Sequence, residues 1–216
     1  MKKQIVREWF RIVGGLFVFA FGVHLTIYAN IGLAPWDCLG MGLSYRLPLN
    51  FGLCMTLCSL VILGIDLLLR EKIGCGTVID ALLTGNFTQF FNSFDPLPEN
   101  HSFPLGVAVM LAGLAIMALG QSIYMRGAQG CGPRDALFVG LGKRLPRVPI
   151  GLVEIGILAL ALLAGRRLGG PVGVGTLIGT FGTGAMMQLV YGLIGFEPRA
   201  IRHRDIAETL RILRET

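Results

Sequence analysis

Apolar residues in this 216-residue chain are gathered into blocks of about twenty, the length a helix needs to cross roughly 30 Å of hydrocarbon. In lipid every backbone donor and acceptor must be satisfied within the protein, so such blocks are expected to be helices. Composition agrees: 53% of residues are hydrophobic, 15% are charged and mean hydropathy is +0.68. A soluble fold of this size would lack the polar surface to cover itself. Disorder, a disulfide scaffold and an ordinary cytosolic enzyme are therefore excluded. The five cysteines (38, 54, 58, 75 and 131) form no C-x-x-C pair and are odd in number, which marks them as small apolar packers rather than disulfide or zinc ligands. The apolar run after MKKQIVREWFR is too long for a signal-peptide core, so it reads as a permanent span.

The chain also repeats itself. Sliding it by 98 residues lays GLAPWDCLGMGLSYRLP (32–48) on GCGPRDALFVGLGKRLP (130–146). Identities include Gly32/Gly130, Pro35/Pro133, Asp37/Asp135, Gly42/Gly140 and Arg46/Arg144. After one inserted residue, GCGTVIDALLTGNFTQ (74–89) falls on GVGTLIGTFGTGAMMQ (173–188). Two copies follow, 5–94 and 104–195, joined by the polar 95–103 and trailed by a basic segment, 196–216.

Each copy holds four apolar segments, at 8–29, 36–47, 51–69 and 75–94, then 104–126, 134–145, 150–165 and 172–195. The second of each set is short. Twelve helical residues rise about 18 Å, little more than half the bilayer core, so these read as half-helices. Proline at their first turn with aspartate two residues on is a helix-start signature, since proline lacks a donor the first turn does not need and carboxylate suits the positive end of the dipole. If the short segments do not cross, six spans with the N-terminus inside place sixteen of nineteen Lys and Arg residues on the cytoplasmic side; eight crossings place thirteen there. The expected fold is therefore an all-α polytopic membrane protein of two inverted repeats, each three transmembrane helices plus one half-helix, with eight crossings in parallel repeats as the alternative.

An ionisable group in hydrocarbon costs about 2.5–3.5 kcal/mol on insertion scales, which makes each one a site candidate. Half-helices entering from opposite faces would bring Asp37 and Asp135 together near the midplane, with Trp36 and Arg134 beside them. The competing reading is that each Asp caps its own helix or pairs with Arg134. Asp80 and Glu154 add carboxylates at helix starts; their counterparts are Gly179 and Met55. Gln89 and Gln188, kept in both copies, suit either interhelical hydrogen bonds or solute contact. His24 reads as a hydrogen-bonded packing residue, and Asp66, four residues before Arg70, as half of an i,i+4 pair reaching the headgroups. In the tail, Ile206, Leu210 and Leu213 share one face among arginines, as in an amphipathic helix on an anionic inner leaflet.

The motifs G-L-x-P-W-D-x-L at 32–39 and G-x-G-P-R-D-A-L at 130–137, with the helix-rich span around them, resemble the bacterial YczE/YyaS/YitT group of membrane proteins, the YczE branch above all. The resemblance implies a multi-spanning inner-membrane protein and carries over no catalytic residue. The function expected is a transporter or channel-like protein for a small-molecule solute, with Asp37, Asp135, Arg134, Trp36, Asp80, Glu154, Gln89 and Gln188 as its binding residues. A non-transporting accessory protein acting through the tail is the alternative. No enzymatic activity, cofactor, metal or nucleic acid is expected. Both termini are expected in the cytoplasm, and self-association into a homo-oligomer is left open.

Overall fold

A computed structural model describes residues 2–94, 100–198 and 201–214. Among them all regular structure is helical: α1 (Lys2–Tyr28), α2 (Pro35–Arg46), α3 (Phe51–Leu68), α4 (Cys75–Ser93), α5 (Phe103–Met125), α6 (Pro133–Arg144), α7 (Ile150–Arg167), α8 (Val174–Leu193) and α9 (Ile206–Arg214). Apart from the start of α1, which lies six residues earlier than expected, the bounds of α1 to α8 fall within about two residues of the eight apolar segments. Of the joint between copies, 95–99 lies outside the described residues. Three helices are long and apolar enough to cross a membrane: Val6–Tyr28, Phe51–Leu68 and Phe103–Met125. The outer surface is apolar too, with Phe181, Leu160, Leu193 and Leu68 each more than two-thirds exposed, as lipid contact requires.

Local chemistry explains where the helices start. Proline opens α2 and α6, the Asn50 side chain accepts from Leu53 N at 2.9 Å to cap α3, and the Thr77 and Thr176 hydroxyls accept from Gly74 N and Gly173 N at 3.3 and 3.1 Å to cap α4 and α8. The copies share backbone twists as well. Gly32 and Gly130 stand at φ +109° and +108°, Asn30 and Ala128 at +52° and +54°.

The core is the seam between α1 and α5. Gly15 lies against Gly120 and Tyr124, whereas Gly22 lies against Gly113 and Met117, so the two helices run antiparallel. Because Gly15 corresponds to Gly113 and Gly22 to Gly120, exchanging the copies maps this seam onto itself. Glycines bring the backbones together, and van der Waals packing does the rest. Beside the seam, Ile12, Leu16 and Tyr124 form one buried cluster and Val23, Leu114 and Met117 another. α4 packs on α1 as α8 packs on α5, α2 crosses α7 as α6 crosses α3, and each half-helix reaches the partner copy.

The reaching is specific. Gly76 N donates to Gln129 O at 2.7 Å, and its counterpart Gly175 N donates to Ile31 O at 2.8 Å, so the loop before each half-helix is stitched to the start of the other copy's last helix. At the opposite end, Arg46 Nε donates to Leu168 O at 3.3 Å and Arg144 donates to Leu69 O, each arginine satisfying an orphan carbonyl where α7 or α3 ends. The copies differ in one respect: α3 lies along α4, while α7 forms no comparable seam with α8 among the described residues.

The tail is fastened to the body rather than lying free. Arg204 N donates to Ala128 O at 2.9 Å and Ile206 N to Ile73 O at 3.0 Å. Arg204 also pairs with Glu8, Gln129 Nε2 donates to Glu8 Oε2 at 3.2 Å, and the Thr209 hydroxyl donates to Gln129 Oε1 at 2.7 Å. The side chains of Leu210 and Leu213 lie outside the described residues. Within this strap burial holds the His203 imidazole below its usual range, and its Nδ1 is buried with no hydrogen-bond partner. A histidine with a depressed folded pKa stabilises docking above about pH 6.5, and that contribution is lost as pH falls through the folded value. Amide hydrogen exchange of 204–209, corrected for its intrinsic pH dependence, is expected to speed up on acidification, and His203→Gln is expected to flatten the response. An unchanged profile in the parent would refute the assignment.

Candidate functional site

The stitched loops aim the first turns of α2 and α6 at each other. Pro35 sets the start of α2, leaving Trp36 half-buried and Asp37 fully inside. Pro133 does the same for α6, which presents Arg134 and Asp135, both half-buried. The Arg134 guanidinium sits over the Trp36 ring at 5.3 Å, a cation–π contact between the two half-helices. Its field reaches Asp37, Asp80 and Asp135. One cation therefore faces three carboxylates from three helices.

Asp80 comes from the second turn of α4, where the Thr84 hydroxyl donates to its Oδ1. Gly132 lies between the acids: a Cβ there would stand 2.8 Å from Asp80 Oδ2 and 3.7 Å from Asp135 Oδ2. A side chain at this position would fill the space the carboxylates enclose. Glu154 is exposed on α7, yet its charge bears on Asp135. Around the cluster stand two donors with no partner, Trp36 Nε1 and the Tyr191 hydroxyl, both buried atoms. Such groups cost about 1–3 kcal/mol each when left unmade, unless a ligand supplies an acceptor. Tyr124 closes the far side, its hydroxyl donating to Gly130 O at 3.4 Å.

Next to the acids an apolar cleft of about 380 Å³ opens between α2, α3 and α6, lined by Trp36, Leu39, Leu43, Cys54, Cys58 and Leu137 among others. The arrangement suits a small ligand with a cationic end among the carboxylates and an apolar remainder in the cleft.

Of the residues expected from sequence, Trp36, Asp37, Asp80, Arg134 and Asp135 come together and Glu154 borders them. Gln89 and Gln188 do not join them. Gln89 sits nine residues beyond Asp80 on α4, where its Oε1 accepts from Gly52 N at 3.3 Å and its Nε2 donates to Ser93 at 3.2 Å, the interhelical role weighed above. Gln188 is exposed. His24 is not isolated: its Nδ1 lies 2.7 Å from Asn92 Oδ1, fixing α1 to α4. Asp66 departs from expectation. It is fully buried, no ion pair joins it to Arg70 among the described residues, and both its carboxylate oxygens lack partners. The physical reason is that its side chain lies on the buried side of α3, a helix that packs against α2, α4 and α6, rather than reaching the headgroups. Sequence reasoning also missed Thr84, Tyr124, Tyr191 and Gly132; of these only Thr84 has an identical counterpart, Thr183, and the other three have no matching residue in the other copy to draw attention to them.

The chain is 29% identical to the uncharacterized membrane protein YczE of Bacillus subtilis (strain 168) over 190 residues, 87% of each chain. It is 25% identical to an uncharacterized protein of Haemophilus influenzae over 183 residues, 85% of this chain and 83% of that one. It is 29% identical to the uncharacterized protein YyaS of B. subtilis over 191 residues, 82% of this chain and 88% of the other. No solved structure matches it. The relatives and the apolar helices make it a membrane protein. A family model covers residues 6–192, so the chain belongs to the family of unknown function DUF6198.

Proposed function

We propose that this protein is a transporter or channel-like protein for a small solute with a cationic group, built as two inverted repeats of three spans plus a half-helix in the inner membrane. The observation that carries the reading is the meeting of the α2 and α6 first turns, where Asp37, Asp80 and Asp135 outnumber the single Arg134. Broken helices inside a membrane line cavities, and in inverted repeats the solute site lies where the two half-helices meet. Antiparallel packing of the equivalent helices α1 and α5 supports the inverted arrangement. With four charges summing to a net negative, the site favours a cation, and the apolar cleft beside it favours one with a short hydrocarbon portion.

The test is uptake of small alkylammonium and guanidinium cations by liposomes containing the purified protein. Flux above empty-liposome background is expected, with Asp37→Asn plus Asp135→Asn lowering it by about tenfold or more, the cost of some 1.4 kcal/mol of lost binding. Unchanged flux in that double variant would refute the site.

A non-transporting accessory protein acting through its tail is the second reading. The strap at 201–209 counts against it, because its polar groups are already engaged by Glu8, Ala128 and Gln129.

A further inference from the structure

Among the described residues Asp66 is the one wholly enclosed carboxyl that the cluster does not use. It has 0% exposure, and neither Oδ1 nor Oδ2 has a hydrogen-bond partner. An ionised carboxylate in such a setting costs many kcal/mol unless paired, and the group escapes that cost by carrying a proton. Among the described residues no cation pairs with it, Arg70 and Lys72 on its own segment included. α4 contains no basic residue, and the single one on α2, Arg46, is given to Leu168 O. On α6, Lys143 pairs with Glu71 at 2.6 Å, Arg144 serves Glu71 and Leu69 O, and Arg134 faces the other acids. The charge that bears on Asp66 is Glu71, of its own sign.

The repeat shows what is unusual about this position. Asp66 corresponds to Gly165, whose Cα faces the α2 backbone so closely that a Cβ would lie 2.6 Å from Leu39 N. The second copy thus closes its helix crossing with glycine, where the first copy carries a carboxyl. The Cys131 thiol, in the loop leading to α6, feels Asp66 on one side and Asp80 and Asp135 on the other, so the buried acid and the cluster share a neighbour. Among the described residues these side chains do not form a metal-binding set.

We propose that Asp66 is a proton-binding site, separate from the cluster around Arg134, that holds its proton as the buried neutral acid and serves as the seat of a coupling proton. The coupling clause rests on the transport reading; the proton-binding clause does not.

The experiment uses dicyclohexylcarbodiimide on the full-length protein in liposomes. A carboxylic acid in an apolar setting adds its O–H across the reagent's C=N bond, and the adduct rearranges to a stable N-acylurea with nothing expelled. Mass spectrometry is expected to place the label on Asp66, falling by tenfold or more as pH rises from about 6 to about 9 because only the protonated form reacts. Asp66→Glu is expected to keep the label and Asp66→Asn to lose it. Absence of label at Asp66 in the folded parent protein, or labelling there that ignores pH, overturns the proton site, and neither result depends on any variant folding. Guanidinium uptake driven by an imposed pH gradient tests the second clause: Asp66→Asn is expected to lose the gradient's effect, and its persistence overturns coupling. Label without any flux would sink the transport reading and leave the proton site standing.

Discussion

Gly120→Val is expected to abolish the folded protein, seen as loss of the monodisperse peak on size exclusion and of cooperative thermal unfolding in detergent. A Cβ on Gly120 would lie 2.4 Å from Phe19 N and 2.8 Å from Gly15 O, both backbone atoms that no rotamer change can move. The alternative is for α1 and α5 to separate along their length. Overpacking a well-filled interior typically costs about 1–3 kcal/mol, and separation would add the loss of packing at Ile12, Leu16, Val23 and Leu114, so the sum exceeds what a marginally stable fold tolerates. Gly14, one residue from Gly15 but with nothing within 4 Å of an added Cβ, supplies the control. Gly14→Ala is expected to leave the protein intact and to gain up to about 1 kcal/mol of helix propensity. A Gly120→Val protein with an unchanged melting temperature would show that the seam is not the core.

That seam was only partly legible in the sequence. The repeat located Gly22 and Gly120 as a conserved pair of the two copies, yet nothing in a linear pattern says that Gly22 meets Gly113 and Gly120 meets Gly15. The half-helices were legible because proline and aspartate at a helix start act locally, through a missing donor and a dipole, and local causes survive in local sequence. The same holds for Arg46 and Arg144, identical across the repeat but assigned no task until the ends of α7 and α3 were seen beside them.

Residues that depend on a contact from far along the chain were illegible. Asp66 is the clearest case, since four residues from an arginine on a helix is ordinary surface spacing, and only the packing of other helices on α3 buries it. The fastening of the tail was illegible for a similar reason: an amphipathic stripe fits lipid as well as protein, and the partners that hold the strap, Glu8 and Gln129, lie 196 and 80 residues away from Arg204 and Thr209. Both duplicated glutamines were weighed as site residues because duplication marks what a fold needs, whether for binding or for holding helices together. Gln89 turned out to do the second.

Arg134→Ala is the substitution expected to cost most at the site itself. Arg134 is the one cation whose field reaches Asp37, Asp80 and Asp135, and none of these acids makes an ion pair elsewhere among the described residues. Removing one partner of a buried charge pair typically costs about 3–5 kcal/mol, chiefly because the other charge is left uncompensated, and here three are left. Because Arg134 and Asp135 are half-buried and no ion pair within 4 Å joins Arg134 to the acids among the described residues, the loss is expected toward the lower end of that range, read as a lower melting temperature in detergent. Compensation separates this cause from simple loss of packing. Adding Asp80→Asn and Asp135→Asn to Arg134→Ala is expected to restore most of the stability, because amides in place of two of the three carboxylates leave one uncompensated charge, that of Asp37, instead of three. Arg134→Lys is expected to recover the Coulomb part but not the planar contact with Trp36, an effect of about 0.5–2 kcal/mol. A triple variant no more stable than Arg134→Ala would mean that the guanidinium acts as a packing element and that the acids do not depend on its charge, which would remove the electrostatic basis for a cation site between the half-helices.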